Sequence, residues 1–272
     1  MGMENVTSNV ATSKDGTQIA YETKGSGSPV ILVDGAICYR SFGPMGTLSE
    51  LLAPHFKVYV YDRRGRGFST NGKPYALERE IEDIDALIEQ AGGRAALYGI
   101  SSGSCLALEA ALALGSRVSR LAMYEPPYNS TGAGRVQWTE YTQNLTRALA
   151  EGRRGDAVVL FMELVGTPQD QIAGMKHAPV WQMFESVAPT LAYDAAAMGK
   201  TRGAPLDRAA RLQVPTLVMD GGANLEMMPF MHESATALAK AIPNAKHSTL
   251  EGQTHDVDLK VLAPVLIDFF KN

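Results

Sequence analysis

Short apolar runs and longer amphipathic stretches alternate along this chain, and their order predicts the architecture. The runs cover residues 30–33, 58–61, Ala95–Ile100, 121–124, 216–219 and 247–250. Most of them stop at Asp, Gly or Pro, residues that end strands. Several are apolar at every position rather than every second one, as expected of a strand covered on both faces. Between the runs the period changes. Leu77, Ile81, Ile84, Leu87 and Ile88 recur at helical spacing, with Glu78, Glu80, Glu82 and Glu89 elsewhere on the wheel. Cys105, Leu108, Ala111 and Leu112 repeat the pattern, as do Leu262, Val265, Leu266 and Phe269. Strands alternating with helices predict an α/β fold with a mostly parallel, doubly wound sheet. The Asp15-Gly16 turn adds a small antiparallel hairpin at the sheet edge.

Residues 128–211 break the alternation, with helical patterns and no convincing strand. They predict a helical cap inserted between two strands of a core made of 1–127 and 212–272. The cap holds both tryptophans, Trp138 and Trp181, and the methionines Met162, Met175 and Met183. Such residues either pack the cap onto the core or line an apolar pocket, since Met adapts to varied ligands. Trp138, Met162, Trp181 and Met183, with Cys38, are the candidate pocket residues.

Composition narrows the class. The chain has 272 residues, 45% of them hydrophobic and 20% charged, with a formal net charge of -4. That profile excludes collagen-like, disordered and disulfide-dense proteins. A chain of this size buries roughly 70–75% of its unfolded surface, enough for a large core and an enclosed cleft. The mild negative charge supplies no reason to bind nucleic acid or an anionic membrane. No apolar run reaches the ~18–20 residues of a membrane span, and the polar stretch from Met1 to Asn9 lacks a signal-peptide core. Cys38 and Cys105 make no disulfide framework. These features point to the cytoplasm.

The candidate chemistry starts at Gly99-Ile100-Ser101-Ser102-Gly103, a Gly-x-Ser-x-Gly between a buried-type strand and an Ala/Leu-rich helix. A sharp strand-to-helix turn forces the central serine into a strained conformation, and larger neighbours would collide with the crossing backbone. The turn lifts the Ser101 hydroxyl above the sheet. It also places the Ser102 amide at a helix N-terminus, where it can hold a developing oxyanion. A nucleophilic serine needs a base. His55, His177 and His232 lie in helical or loop contexts, and His247 begins the last strand. His255 follows that strand, in Gly252-Gln253-Thr254-His255-Asp256, on a loop at the carboxyl edge with Ser101. It is the candidate base.

With these residues in place, the chain resembles an α/β-hydrolase over almost its whole length. The matching stations are Val33-Asp34-Gly35-Ala36, the turn from Tyr61-Asp62-Arg63-Arg64 to Phe68-Ser69, the Ser101 elbow and Gly252-Gln253-Thr254-His255. The resemblance implies nucleophilic acyl transfer, with Ser101 attacking a carbonyl, His255 shuttling the proton and water hydrolysing the acyl-enzyme. In most of that family the third member is an Asp a few residues after the penultimate strand, a position that falls here on Asn224. Asn cannot stabilise an imidazolium by charge. The better-placed carboxylate is Glu125, in Met123-Tyr124-Glu125-Pro126-Pro127, and the order Ser101, Glu125, His255 fits the family's nucleophile-acid-base order. Asp220 and Asp256 are the alternatives. The resemblance puts the second oxyanion donor on Ala36 or Gly35. Asp34 departs from the His of many relatives and is expected to tie down its loop by accepting backbone hydrogen bonds.

Other chemistries recede. No His/Cys/Asp cluster shows metal-ligand spacing along the chain. Gly25-Ser26-Gly27-Ser28 lacks the Lys of a phosphate loop, and the basic Asp62–Ser69 stretch reads as a turn rather than an anion site. A dehalogenase or epoxide hydrolase of this fold would carry Asp in place of Ser101. The expectation is a cofactor-free serine hydrolase acting on a small, apolar carboxylic ester or lactone. Asp34-Gly35, the Ser101-Ser102 elbow and Glu125-Pro126 are locally similar to zearalenone-type lactone hydrolases. The same scaffold also hosts perhydrolases and lyases, and a slow-turnover receptor is the reading that Asn224 favours.

Overall fold

The computed structural model describes residues 9–225 and 228–272, with Asn224 described by its backbone alone. The chain begins with strands β1 (Asn9–Thr12), β2 (Gln18–Lys24) and β3 (Pro29–Val33), helix α1 (Met45–Leu52) and strand β4 (Lys57–Tyr61). Helix α2 (Leu77–Gln90), β5 (Ala95–Ile100), α3 (Ser102–Leu114) and β6 (Val118–Tyr124) follow. Six helices then intervene: α4 (Gly132–Ala150), α5 (Arg154–Leu164), α6 (Gln169–Met175), α7 (Val180–Val187), α8 (Leu191–Met198) and α9 (Leu206–Ala209). The chain closes with β7 (Thr216–Gly221), α10 (Pro229–Ala241), β8 (Ala245–Leu250) and α11 (Leu259–Lys271). Among the described residues, no helix is long and apolar enough to cross a membrane.

The eight strands form one sheet in the order β1-β2-β4-β3-β5-β6-β7-β8. The first two pairings are antiparallel, which makes the Asp15-Gly16 hairpin the sheet edge, and the rest are parallel. Successive side chains of a strand face opposite sides, and here both sides are dry. Ile31, Val33, Leu97, Leu121, Met123 and Val218 enter one core cluster with residues of α2, α3 and α10. Their neighbours Val30, Leu32, Tyr98, Ala122, Leu217 and Met219 enter the other, with residues of α1 and α11. The continuous apolar runs of the sequence have this double burial as their cause.

Behind the carboxyl ends of the strands lies a set of buried charges. Arg63, Arg64 and Arg66, in the turn after β4, are all at most 1% exposed. The stretch that looks basic in sequence is therefore turned inward and neutralised. Arg64 forks onto Asp83 at 2.7 and 2.6 Å, and Arg63 forks onto Glu80 at 2.8 and 2.9 Å. Arg63 and Arg66 then share Asp194 of α8, at 2.6 and 2.7 Å. Burial works against the Asp194 charge, but Arg66 and Arg63 outweigh it and hold the carboxyl below its usual range.

The same arginines secure the loop after β3. Arg66 donates to the carbonyls of Gly35 and Cys38 at 2.5 and 3.1 Å, and Arg63 to that of Asp34 at 3.3 Å. The Asp34 carboxylate, expected to tie this loop, makes no hydrogen bond of ordinary geometry among the described residues. It lies against Gly43 and Cys38, and burial pushes its carboxyl up to about 7 against the pull of Arg66 and Arg63.

Two outcomes follow from this buried charge. Removing one partner of a buried ion pair leaves the other uncompensated, so Asp194→Asn should destabilise the fold by about 3–5 kcal/mol in urea titrations. Lys24→Met, which breaks the exposed Lys24–Glu50 pair, should change stability by less than about 1 kcal/mol in the same titrations. Asp34 makes the second test. Between its unfolded value of 3.8 and about 7, the folded chain holds a proton that the unfolded chain has shed. Stability from this group therefore falls as pH rises through that window. Thermal melts of wild type from pH 5 to 8 should lose Tm relative to Asp34→Asn, and parallel curves would remove Asp34 as the titrating group.

Candidate active site

The nucleophile turn is built from backbone pressed on backbone. A Cβ on Gly99 would overlap Gly103 and Ser104, and one on Gly103 would overlap the Val33 and Asp34 carbonyls. Only glycine lets β5 run into α3 so close to β3. Ser101, caught between them, takes φ 54° and ψ -132°, a strained conformation for an L-residue. Its N–H donates to the Tyr124 carbonyl at 3.0 Å, and its carbonyl accepts from the Ser104 amide at 2.9 Å. The hydroxyl borders a cavity of about 590 Å³ at the carboxyl edge of the sheet.

Glu125 leaves β6 immediately beside the elbow, with φ 46° and no exposed surface. Its N–H donates to the Met219 carbonyl at 2.8 Å, and its Oε1 accepts from the Gly221 amide at 3.0 Å. Oε2 meets His255 Nδ1 at 2.6 Å. The His255 loop is placed by main-chain contacts. The Tyr124 hydroxyl donates to the Thr254 carbonyl at 2.6 Å, and the Ala223 amide donates to that of Gln253 at 2.9 Å. A side chain on Gly221 would collide with this loop and with the Tyr124 hydroxyl. Ser101 and His255 line the same cavity.

The other carboxylates considered for this position lie elsewhere. Asp220 is buried at the end of β7, and its two oxygens meet His247 Nε2 at 2.5 Å and His232 Nδ1 at 2.9 Å rather than His255. Asp256 is exposed on the loop surface. The side chain of Asn224 lies outside the described residues. Ser102 and Ala36 line the cavity, and Gly35 packs against Ser101. The Ser102 hydroxyl donates to Asp194 at 2.8 Å, which connects the elbow to the buried charges.

None of the five expected pocket residues is in the cavity wall. Trp138 is fully buried, donates from Nε1 to the Gly199 carbonyl at 2.9 Å, and lies one layer back, beneath the Arg202 guanidinium. Met162 turns into the core, while Phe161 and Leu164 on another face of α5, with Val165 just past its end, reach the cavity. Trp181 and Met183 belong to α7, where Trp181 packs edge-on to Phe184. Cys38 offers its carbonyl to Arg66, and burial pushes its thiol up to about 12, so it is no thiolate at neutral pH. Met198, Met228, Phe230, Met231 and Arg202 are also among the wall residues. The 161/164/165 spacing is visible as a helical face in the sequence. The contribution of the start of α10 is not, because it comes from a different part of the chain.

The comparisons with known proteins agree with this architecture. Over 109 residues the chain is 31% identical to pimeloyl-[acyl-carrier protein] methyl ester esterase of Aliivibrio fischeri strain MJ11. That match covers 39% of this chain and 39% of the esterase, so the chain spans about two fifths of the length of that curated relative. The crystal structure of the enol-lactonase from Burkholderia xenovorans LB400 shares the fold, with TM-score 0.66 at 21% identity over 97% of this chain and 100% of that one. An alpha/beta hydrolase from Sphaerobacter thermophilus DSM 20745 is nearer, at 49% identity and TM-score 0.86 over 96% of this chain and 100% of that one. The family model described as "Alpha/beta hydrolase family" matches residues 25–260. With that model matched over most of its length, and the sheet, elbow and loops in the family's order, the chain belongs to the alpha/beta hydrolase family.

Proposed function

We propose that this protein is a cofactor-free serine hydrolase that cleaves a carboxylic ester or lactone through an acyl-enzyme. Ser101 is the nucleophile, His255 the base and Glu125 the acid. The observation that carries this reading is the 2.6 Å contact between His255 Nδ1 and buried Glu125, made at the cavity that Ser101 borders. Glu125 holds the proton on Nδ1, which leaves Nε2 to take the Ser101 proton, and its charge stabilises the imidazolium that forms. The Ser101 Oγ–acyl bond forms as the alcohol leaves with the proton from His255. Water, deprotonated in turn by His255, then releases the acid and restores Ser101.

The oxyanion donors in this reading are the amides of Ser102 and Ala36. Ser102 opens α3, where amides lack intrahelical partners and the helix dipole favours negative charge. In the planar trans peptide that joins Gly35 to Ala36, C=O and N–H point opposite ways. Arg66 holds the Gly35 carbonyl inward at 2.5 Å, so the amide of the same peptide faces outward, and Ala36 borders the cavity. The alternative donor, Gly35, is less favoured on this geometry. The Phe, Leu, Val and Met side chains of the wall suit an apolar small-molecule substrate. The names of the partial relative and of the lactonase of the same fold agree with ester chemistry.

A burst assay with p-nitrophenyl acetate and butyrate, followed by intact mass, should give a covalent acyl adduct and turnover in wild type and neither in Ser101→Ala. Hydrolysis retained by Ser101→Ala would remove the serine from the mechanism. Glu125→Gln should fold and lower kcat by roughly 10²–10⁴-fold, since an amide can neither fix the right tautomer nor balance the imidazolium charge. A change below about tenfold would show that Glu125 only braces the loop.

A further inference from the structure

We propose that Asp220, His232 and His247 form a binding site for a divalent transition cation of the zinc type, outside the hydrolytic site. The linear sequence hides the trio, because each residue comes from a different element. In the β7–β8 ladder Asp220 is level with Thr249, and His247 is level with Val218. The two-residue alternation of strands therefore puts Asp220, His247 and Thr249 on the sheet face that bears Val218. Val218 packs in the same cluster as Ala235 and Leu238, so this is the face covered by α10, and α10 brings His232 to it.

The arrangement has the chemistry of a metal site. Two imidazoles and one carboxylate suit zinc and its neighbours and not magnesium or calcium, which take oxygen ligands. The potential ligand atoms all lie within 4.8 Å of one another. Ligands of a tetrahedral zinc stand about 3.3 Å apart, so adjustments of about an ångström would close the site. Asp220 is 1% exposed, while the side chains of His232 and His247 are 40% and 26% exposed. The carboxylate is thus enclosed, while the two imidazoles that contact it open the site to solvent. Thr249 supplies the supporting contact, its hydroxyl lying 3.2 and 3.4 Å from the two Asp220 oxygens. A bound ion would fasten α10 to β7 and to β8, the last strand of the sheet. It would do so one residue from the Gly221 amide that holds Glu125.

The test is isothermal titration of EDTA-treated, dialysed protein with zinc chloride, alongside magnesium and calcium chloride. Wild type should bind one equivalent of zinc, with a rise in Tm, and neither of the other ions. His232→Ala and His247→Ala should each weaken that binding by at least about tenfold. Both side chains are partly exposed, and their melting curves in EDTA report directly that the fold survives. His255→Ala, which removes the other histidine bound to a buried carboxylate, should keep the zinc equivalent. No saturable zinc binding in wild type overturns the proposal and leaves the trio a hydrogen-bonded cluster. Binding that survives His232→Ala and His247→Ala but disappears in His255→Ala also overturns it, and moves the ion to the hydrolytic site.

Discussion

The contact on which most of this structure depends is the sharing of Asp194 between Arg63 and Arg66. Each of these charges would cost several kcal/mol to bury alone, and all three are almost completely buried. They come from three separate segments: the turn after β4, helix α8 of the insertion and, through the Ser102 hydroxyl, the start of α3. The shared carboxylate joins these segments directly. Replacing such a cluster by well-packed apolar residues is often neutral or stabilising, whereas removing one partner leaves a buried charge uncompensated and is strongly destabilising. The Arg66 guanidinium that meets Asp194 also reaches the Gly35 carbonyl, so one side chain links α8 to the loop after β3.

Where charge fixes the surroundings, close backbone contact fixes Ser101. The main chains of β3, β5 and α3 approach so tightly at Gly99 and Gly103 that a methyl group at either position would overlap them. The positive φ of Ser101 is maintained by that approach and by its bond to the Tyr124 carbonyl.

Much of the architecture was legible in the chain. The six apolar runs all became strands, extended by one to three residues at several ends, and the hairpin fell at the sheet edge, because burial on two faces leaves an uninterrupted apolar signature. Helix α1 leaves no clear period in the sequence, because eight residues make little more than two turns. The gathering of Ser101, Glu125 and His255 follows from strand order, since β5 and β6 are neighbours and the His255 loop returns from β8. Pocket walls did not follow. Bulk and polarity mark Trp138 and Met162 as apolar, but only the rotation of each helix decides whether a residue faces the cavity or the core. The three arginines after β4 mislead for a related reason, because their partners Glu80, Asp83 and Asp194 lie 17 to 131 residues away.

The position of Glu125 has a bearing on how this scaffold can change. A carboxylate that leaves the strand beside the nucleophile is anchored by the sheet's central ladder and by a single amide of the next strand. The turn from β7 into α10 then has to preserve that amide, the close packing at Gly221 and the Ala223 amide that holds the Gln253 carbonyl. Its neighbour, the start of α10, contributes Met228, Phe230 and Met231 to the cavity wall. On the proposed assignment, substitutions at the start of α10 reshape the cavity wall without replacing the residues that handle the proton.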